Sequence, residues 1–574
     1  MHLESDVASN NRFGRSCALL IGVVLLGVGV FACWDRSGRS TGLSSEAAVP
    51  KRDGRAQAAD SGGRLEVSAS DSPADVSFSI HGRRAVKDIS PFIYGVNTHC
   101  SWEGAVARPG MVRLGGNRWT TYNWTNNASN AGSDYHHQND AWLGGGNSAG
   151  EAVRSRVSAA HEAGAAALVT IPIVEHVAAD KRRGGDVAQS GRRYLEQRFV
   201  PSVARKGEPF EYPPSSNSER VYQDEMIAWL EDECSCPRDE KPIFYALDNE
   251  PCLWASTHPR IRPEPVSYRE LTERSIEYAG AIKSVAPDSL VFGPVSYGWM
   301  GFTNLQNAPD ADGRDFLDVY LRDMRVAAEE HDRRLLDVLT IHWYPEARGG
   351  GQRITGGDDS QAVVEARVQA PRSLWDPTYT EDSWIARRVL GGPIRLLPRL
   401  RDKIDAAYPG TRLAITEYNY GGGGHISGGV AQADVLGILG REGVFAASVW
   451  TFGQGPSDYL FGAMNMFLDY DGEGSSFGDT SIHARTTDPA RTSVYASHDS
   501  RDPAGMTVVA INKSQEEIVA DIRITRDAVL EGGRVFRIEE GSASPRNVGA
   551  IAPQGDNAFK LPLPSMSVTT LELR

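Results

Sequence analysis

Two glutamates, Glu250 and Glu417, each follow a short apolar run of residues that favour a β-strand. Residues 243–247 lead into Asp248-Asn249-Glu250-Pro251, and residues 412–415 lead into Thr416-Glu417-Tyr418. A carboxyl group at the end of a buried strand lies between the apolar, water-free interior and the solvent. Two such groups, one kept protonated and one kept ionised, are what cleavage of a glycosidic bond with retention of configuration requires.

The two glutamates are predicted to divide this chemistry between them. We assign Glu250 as the acid/base that protonates the leaving oxygen, and Glu417 as the nucleophile that attacks the anomeric carbon. Asn249, next to the acid, is expected to hydrogen-bond the sugar 2-hydroxyl. A carboxyl separation near about 5 Å gives retention, whereas roughly 6.5–9.5 Å leaves room for a water and gives inversion.

Further candidate site residues follow other apolar runs. Arg113, after the second run, is expected to hydrogen-bond Glu417 and favour its ionised form. Three residues end the sixth run. Of these, Tyr344 is expected to donate to Glu417, His342 to orient neighbouring groups, and Trp343 to contact substrate.

Aromatic and amide side chains near the same strand ends suit a neutral sugar polymer. Trp450 ends the eighth run, where an indole face can lie under the sugar while the hydroxyls stay hydrated. The segment 117–135 is rich in Asn and Trp, and we predict that Asn117 and Trp124 bind substrate. Tyr418, adjacent to Glu417, belongs to the same predicted set.

Eight apolar runs alternate with amphipathic, helix-like stretches over residues 76–452. The runs are 92–96, 111–114, 167–173, 243–247, 290–295, 338–343, 413–416 and 444–450. Continuous apolar strands that alternate with helices indicate a parallel sheet. Eight repeats predict an α/β fold closed into a (β/α)8 TIM barrel, whose function lies at the carboxyl ends of its strands. The catalytic barrel is assigned to residues 91–466.

The pattern changes after residue 467 to short alternating strands separated by Gly, Asn and Asp turns. This pattern predicts a smaller all-β sandwich domain over 467–574. The segment 76–90, just before the barrel, is expected to add a strand to that sandwich.

The first 36 residues indicate export. Arg12 and Arg15 precede an apolar run, and Val30-Phe31-Ala32-Cys33 is similar to a lipoprotein cleavage box with Cys33 as the lipidated residue. Lipidation, simple secretion and an uncleaved membrane anchor all remain open. Residues 37–75 contain few apolar side chains and are predicted to be a flexible linker. The protein is therefore expected to be secreted or tethered to the bacterial cell surface.

Charge and cysteine content limit the partners. The chain has 60 Lys and Arg against 74 Asp and Glu in 574 residues, a formal charge of −14, which argues against nucleic acid as a partner. We expect a monomer that binds polysaccharide. In an oxidising compartment some of the downstream cysteines are candidates for disulfides, with the pairing open: Cys100, Cys234, Cys236 and Cys252.

The motifs together resemble glycoside hydrolase family 44, a group of retaining endo-β-1,4-glucanases and xyloglucanases. The matching segments are 113–117, 122–124, 127–134, 248–251, 416–421, 475–480 and 493–496. The resemblance implies a barrel with a β-sandwich, attack within β-1,4-glucan chains, and the same roles for Glu250 and Glu417. It implies no cofactor for catalysis but a possible structural calcium, whose ligands the sequence does not place.

Two other functions compete with a β-glucanase. The same barrel and glutamates could serve a xylanase or a mannanase. A non-catalytic lipoprotein that only binds glycan at the cell surface is the third hypothesis.

Overall fold

A computed structural model of the chain describes residues 73–574, except 85, 216–217, 235–240, 452 and 454. The predicted export signal with Cys33, the linker up to residue 72, and Cys236 lie outside the described residues. Within the part described, no helix combines the length and the apolar character needed to cross a membrane. Cys100, Cys234 and Cys252 form no disulfide with one another, and Cys100 and Cys252 are buried.

Eight parallel strands close into a barrel, and each pairs with the next one in the chain. In chain order they are Gly95–Asn97, Met111–Leu114, Ala166–Ile171, Ile243–Leu247, Val291–Ser296, Val338–Trp343, Arg412–Tyr418 and Ala446–Val449. The predicted barrel is confirmed, and the strand bounds differ from the predicted ones by a few residues. The first strand starts late because Pro91–Ile93 forms a 3-10 turn that Ser90 caps.

The strands are buried on both faces, as their continuous apolar sequences predicted. Side chains that point inward fill the lower part of the barrel with a separate apolar cluster. That cluster includes Met111, Ala166, Leu168, Phe244, Ala246, Phe292, Val338, Ala414 and Ala446. The barrel is therefore a packed core with an open end, and only the carboxyl ends of its strands can hold a substrate.

One main helix covers each crossover from the second strand onward. These helices are Glu151–Glu162, Gln223–Glu233, Tyr268–Val285, Phe316–Glu330, Leu396–Ala407 and Ile426–Glu442. Side-chain caps fix three of the starts: Ser267 accepts from the Glu270 N–H, Asp315 from the Asp318 N–H and His425 from the Ser427 N–H. Shorter helices lie at Gly298–Asn304 and Gln361–Gln369, and Asp458–Leu468 follows the last barrel strand.

The C-terminal region forms an all-β sandwich. Its strands, in spatial order, are Ser542–Ile551, Gly533–Glu539, Ser567–Leu573, Asp502–Asn512, Thr492–Asp499, Thr480–Thr486, Val76–His81, Ile518–Thr525 and Ala558–Leu563. Val76–His81, from before the barrel, pairs antiparallel with Thr480–Thr486 and parallel with Ile518–Thr525. Its Phe78 and Ile80 are fully buried in the sandwich core.

Two central strands of the sandwich, Thr492–Asp499 and Asp502–Asn512, pack against the sandwich core on one face and against the barrel on the other. Val494 and Val508 point into the sandwich core, whereas Tyr495 and Val509 pack into the barrel cluster. This alternation is the period-two pattern of a strand buried on both sides. The helix Ile426–Glu442 fills the space between the barrel and the sandwich, and its residues 426–440 are all buried.

Candidate active site

Glu250 lies just beyond the fourth barrel strand on a backbone that is fixed in an uncommon conformation. Asp248 and Glu250 have φ of +69° and +49°, the left-handed region that non-glycine residues seldom adopt. The buried Asp248 carboxylate holds this loop: Oδ2 accepts from the Ile173 N–H at 2.8 Å and from the Val174 N–H at 3.1 Å. Such strain persists only where the surroundings fix it, and it turns the Glu250 side chain toward the barrel mouth.

Glu417, on the seventh strand, has both carboxylate oxygens engaged by donors. Arg113 Nη1 donates to Oε1 at 2.6 Å, and the Tyr344 hydroxyl donates to Oε2 at 2.9 Å. The Arg113 side chain is completely buried, so this ion pair lies in a dry environment. A cation and a hydroxyl donor both favour the ionised carboxylate. The structure thus places Arg113 and Tyr344 in the contacts that the sequence predicted for them.

The two glutamates meet across the barrel mouth through His342. Oxygens of Glu250 and Glu417 and a ring nitrogen of His342 all lie within 4.8 Å of one another. His342 Nδ1 is 2.8 Å from Glu250 Oε1 and 3.4 Å from Glu417 Oε2. An oxygen of Glu250 thus lies closer to one of Glu417 than the roughly 6.5–9.5 Å carboxyl separation of inverting enzymes.

Burial favours the protonated form of Glu250. It raises the pKa of Glu250 to about 8, against a smaller opposing effect of Arg113. Burial also lowers the pKa of His342 to about 3, so the imidazole is neutral near pH 7. Burial and then the adjacent Glu417 raise the pKa of Tyr344, which keeps its proton to donate. At neutral pH the site therefore holds a protonated Glu250 beside a Glu417 paired with a cation.

Asn249 is fixed by two donors to its carbonyl oxygen. Arg113 Nη2 donates to Oδ1 at 2.7 Å and the Gly116 N–H donates at 3.1 Å. Since Oδ1 is used within the protein, the amide Nδ2 is the group left to donate to a ligand hydroxyl. Asn97, which the sequence analysis missed, accepts from Arg113 Nη1 at 3.1 Å. Its position at the end of the first barrel strand was the available signal.

Two predicted residues lie at the open side of the mouth. Trp450 follows the eighth strand, is partly exposed, and lies so close to Gly116 that a Cβ there would be 2.9 Å from the indole. Gly116 also has φ of +96°, so glycine is required on both counts. Asn117 donates from Nδ2 to Asp134 Oδ1 at 2.8 Å, and both residues belong to the polar segment 117–135 that the sequence indicated.

Three residues predicted to bind substrate are instead buried in the core. Trp124 has no exposed surface, stacks on Trp229 and donates its indole N–H to a backbone carbonyl. Trp343 and Tyr418 are each only 1% exposed. They point outward from their strands into the helix layer, because side chains alternate along a strand and their neighbours point into the mouth. These three assignments are therefore wrong.

The glutamate–histidine group is also the one place among the described residues where three His, Cys, Asp or Glu side chains are close enough to share a metal ion. It does not suit calcium, which takes six to eight oxygen ligands, because one member is an imidazole and Arg113 already occupies Glu417. The expected structural calcium stays a prediction without assigned ligands.

Comparison with known proteins gives a consistent result. The sequence profile of glycoside hydrolase family 44 matches residues 128–347. A Paenibacillus polymyxa xyloglucanase of family 44, solved with xyloglucan, is 39% identical with a TM-score of 0.82, over 87% of this chain and 99% of that one. The chain belongs to glycoside hydrolase family 44. It is a glycoside hydrolase, and its barrel and sandwich are those of the family.

Two further relatives differ in their described activities. Endoglucanase A of Paenibacillus lautus is 38% identical over 528 residues, which cover 89% of this chain and 74% of that protein. CelM2, a bifunctional glucanase-xylanase from a metagenome library, is 29% identical with a TM-score of 0.73, over 88% of this chain and 99% of that one.

Proposed function

We propose that this family 44 enzyme cleaves β-1,4-glucosidic bonds within glucan or xyloglucan chains with retention, using Glu250 as acid/base and Glu417 as nucleophile. The observation that carries the proposal is the pair of carboxyl groups, whose oxygens lie within 4.8 Å of each other, with Glu250 held protonated by burial and Glu417 paired with Arg113. The partly exposed Trp450 ring at the mouth suits a neutral sugar chain.

In the first step the glucosyl ring to be cleaved lies over Trp450. Protonated Glu250 gives its proton to the glycosidic oxygen while Glu417 attacks the anomeric carbon, so the leaving chain departs and a glucosyl ester forms on Glu417. Asn249 Nδ2 donates to the 2-hydroxyl, where a hydrogen bond strengthens in the transition state. In the second step Glu250, now a carboxylate, takes a proton from water, and the water hydrolyses the ester.

His342 directs the proton of Glu250. With a neutral ring, His342 Nδ1 either accepts a hydrogen bond from a protonated Oε1 or donates its own N–H to Oε1. Only the second arrangement leaves the Glu250 proton on the other oxygen, facing the substrate. The same Nδ1 atom lies 3.4 Å from Glu417 Oε2, so one neutral imidazole contacts both carboxyl groups and fixes their relative positions.

The substrate assignment is tested by release of reducing ends from xyloglucan, carboxymethyl cellulose, xylan and mannan. We expect hydrolysis of the first two, with a rapid fall in viscosity because cleavage occurs inside the chain. The relative that also acts on xylan makes xylan the main competitor. Activity confined to xylan or mannan would refute the glucan assignment while leaving the two-glutamate chemistry intact.

The role of Glu250 is tested by Glu250→Gln, which keeps the shape of the side chain and removes the acid. We expect turnover of polysaccharide to fall by at least about a thousandfold, with substrate binding retained. Glu264→Gln is the matched control, since Glu264 is an exposed loop residue. Unchanged turnover in Glu250→Gln would show that Glu250 is not the acid.

Export and surface attachment are proposed on the sequence alone. If Cys33 is lipidated, cells that express the full chain incorporate labelled palmitate into it, and Cys33→Ser does not. Incorporation into neither protein, with the enzyme in the medium, would indicate simple secretion.

The oligomeric state is tested by measuring the mass of the protein in solution, which should be that of a monomer. The structural calcium is tested by asking whether a calcium chelator lowers the stability of the protein.

A further inference from the structure

Beside the catalytic centre, a row of aromatic rings leads outward from Trp450. The centroid of His99 lies 6.3 Å from Trp450 and 4.6 Å from Trp142. Trp142 is 44% exposed, one of the most exposed large apolar side chains of the described residues, and His99 is partly exposed. The row therefore carries aromatic surface from the floor of the cleavage site to the outside of the barrel mouth.

The outer ring is held in place although it is exposed. Arg118 places its guanidinium 4.9 Å from the Trp142 ring centroid, and Arg118 Nη1 is itself 2.5 Å from Asp140 Oδ1. The same Asp140 oxygen accepts from the backbone N–H of Trp142 at 3.0 Å, and Gln138 donates to the other oxygen at 2.9 Å. A ring fixed before the ligand arrives loses little conformational freedom on binding.

The middle ring is neutral. Burial, and then the nearby Arg156 and Arg118, lower the pKa of His99 to about 4. Its face is thus available for apolar contact at the pH where a glucanase works, as an aromatic face is for the C–H side of a sugar ring.

We propose that Trp142 and His99 form an outer glucosyl-binding subsite on the glycone side of the cleavage point. This inference rests on the proposed function, and it adds a residue of substrate recognition that the catalytic motifs do not contain. The side follows from topology. The leaving chain departs past Glu250, on the fourth strand, whereas Trp450 and His99 follow the eighth and first strands, across the ring from it.

The test uses aryl β-glycosides whose glycone grows from two to five glucosyl units. The aryl group always occupies the leaving position, so each added unit extends only the glycone side. For the unaltered enzyme we expect kcat/KM to rise when a unit reaches Trp142. For Trp142→Ala that rise is lost, a fall of about tenfold on the longest substrate with the shortest unchanged. Trp142→Phe, which keeps an aromatic face, retains most of it.

The outcomes separate the inference from the function on which it depends. If the unaltered enzyme hydrolyses none of these glucosides, the proposed function fails before Trp142 is in question. If it does, and Trp142→Ala keeps the full gain with length, or loses the same factor on every length, Trp142 is not a subsite. Activity on the shortest substrate reports in each case that the variant is folded.

Discussion

Glu250 and Glu417 carry the same functional group but have different neighbours. Glu417 has a buried guanidinium and a phenol as donors, whereas Glu250 faces a neutral imidazole in a buried environment. Burial raises the pKa of Glu250, which favours the protonated form that the proposed acid requires. Arg113 also donates to Asn249, so one side chain positions both Glu417 and the residue that precedes Glu250.

The pH dependence of catalysis follows from Glu250. Its pKa is raised to about 8, so the acid is protonated below that pH and ionised above it. We expect kcat/KM on a cello-oligosaccharide to be level toward neutral pH and to fall about tenfold per pH unit above about pH 8. His342, with a pKa near 3, should add no step between pH 5 and 7.

A pH–rate profile from pH 4 to 10 is the measurement. An activity that stays constant to pH 10, or that rises in the alkaline range, would show that Glu250 is not the acid.

Contacts between site residues were predictable from sequence where chemistry and strand position agreed. Both glutamates, Arg113 and Tyr344 come together as their strand ends suggested. Trp343 and Tyr418 failed because a position near a strand end does not say which face a side chain takes. Applying the alternation to known inward neighbours, His342 and Glu417, would have turned both outward.

At the scale of elements, the helix Ile426–Glu442 follows the strand that carries Glu417 and packs against the sandwich. Four glycines of this helix lie against neighbouring parts of the fold, and Gly437 lies against the Tyr495 ring. A Cβ at Gly437 would be 2.2 Å from that ring, which is buried and hydrogen-bonded to Asp434. Close approach, rather than flexibility, explains glycine there.

Gly437→Ala should therefore lower the free energy of unfolding by about 1–3 kcal/mol, since the buried ring has no room to move. Gly440→Ala in the same helix is the control. There the nearest atom is at 3.5 Å, so the substitution should be neutral or stabilise by about 0.5–1 kcal/mol. Denaturant unfolding of both variants gives the comparison, and equal stability of the two would contradict the packing argument.

The eight barrel strands were predictable because a strand buried on both faces must be apolar throughout. The helix Ile426–Glu442 was not, since a helix buried all round has no polar face to reveal its period.

At the scale of the whole molecule, the chain enters the sandwich, forms the barrel, and returns to the sandwich. Val76–His81 lies inside the sheet between strands that are about 400 residues later in the chain. Its pairing therefore depends on contacts that form only when both ends of the described chain have folded.

Phe78→Ala should lower stability by about 3–5 kcal/mol, because it leaves a cavity in the sandwich core where Phe78 has no exposed surface. Ser77→Ala, on the exposed side of the same strand, is the control. Thermal unfolding is the measurement. Equal transition temperatures would mean that this strand contributes little to the sandwich.

The central claim is that two carboxyl groups within 4.8 Å of each other act as acid and nucleophile on one bond. The most direct test is proton NMR of a cello-oligosaccharide during the first minutes of hydrolysis, before the products mutarotate. We expect the newly formed reducing end to appear first as the β-anomer. First appearance of the α-anomer would mean inversion, and would contradict the role assigned to Glu417.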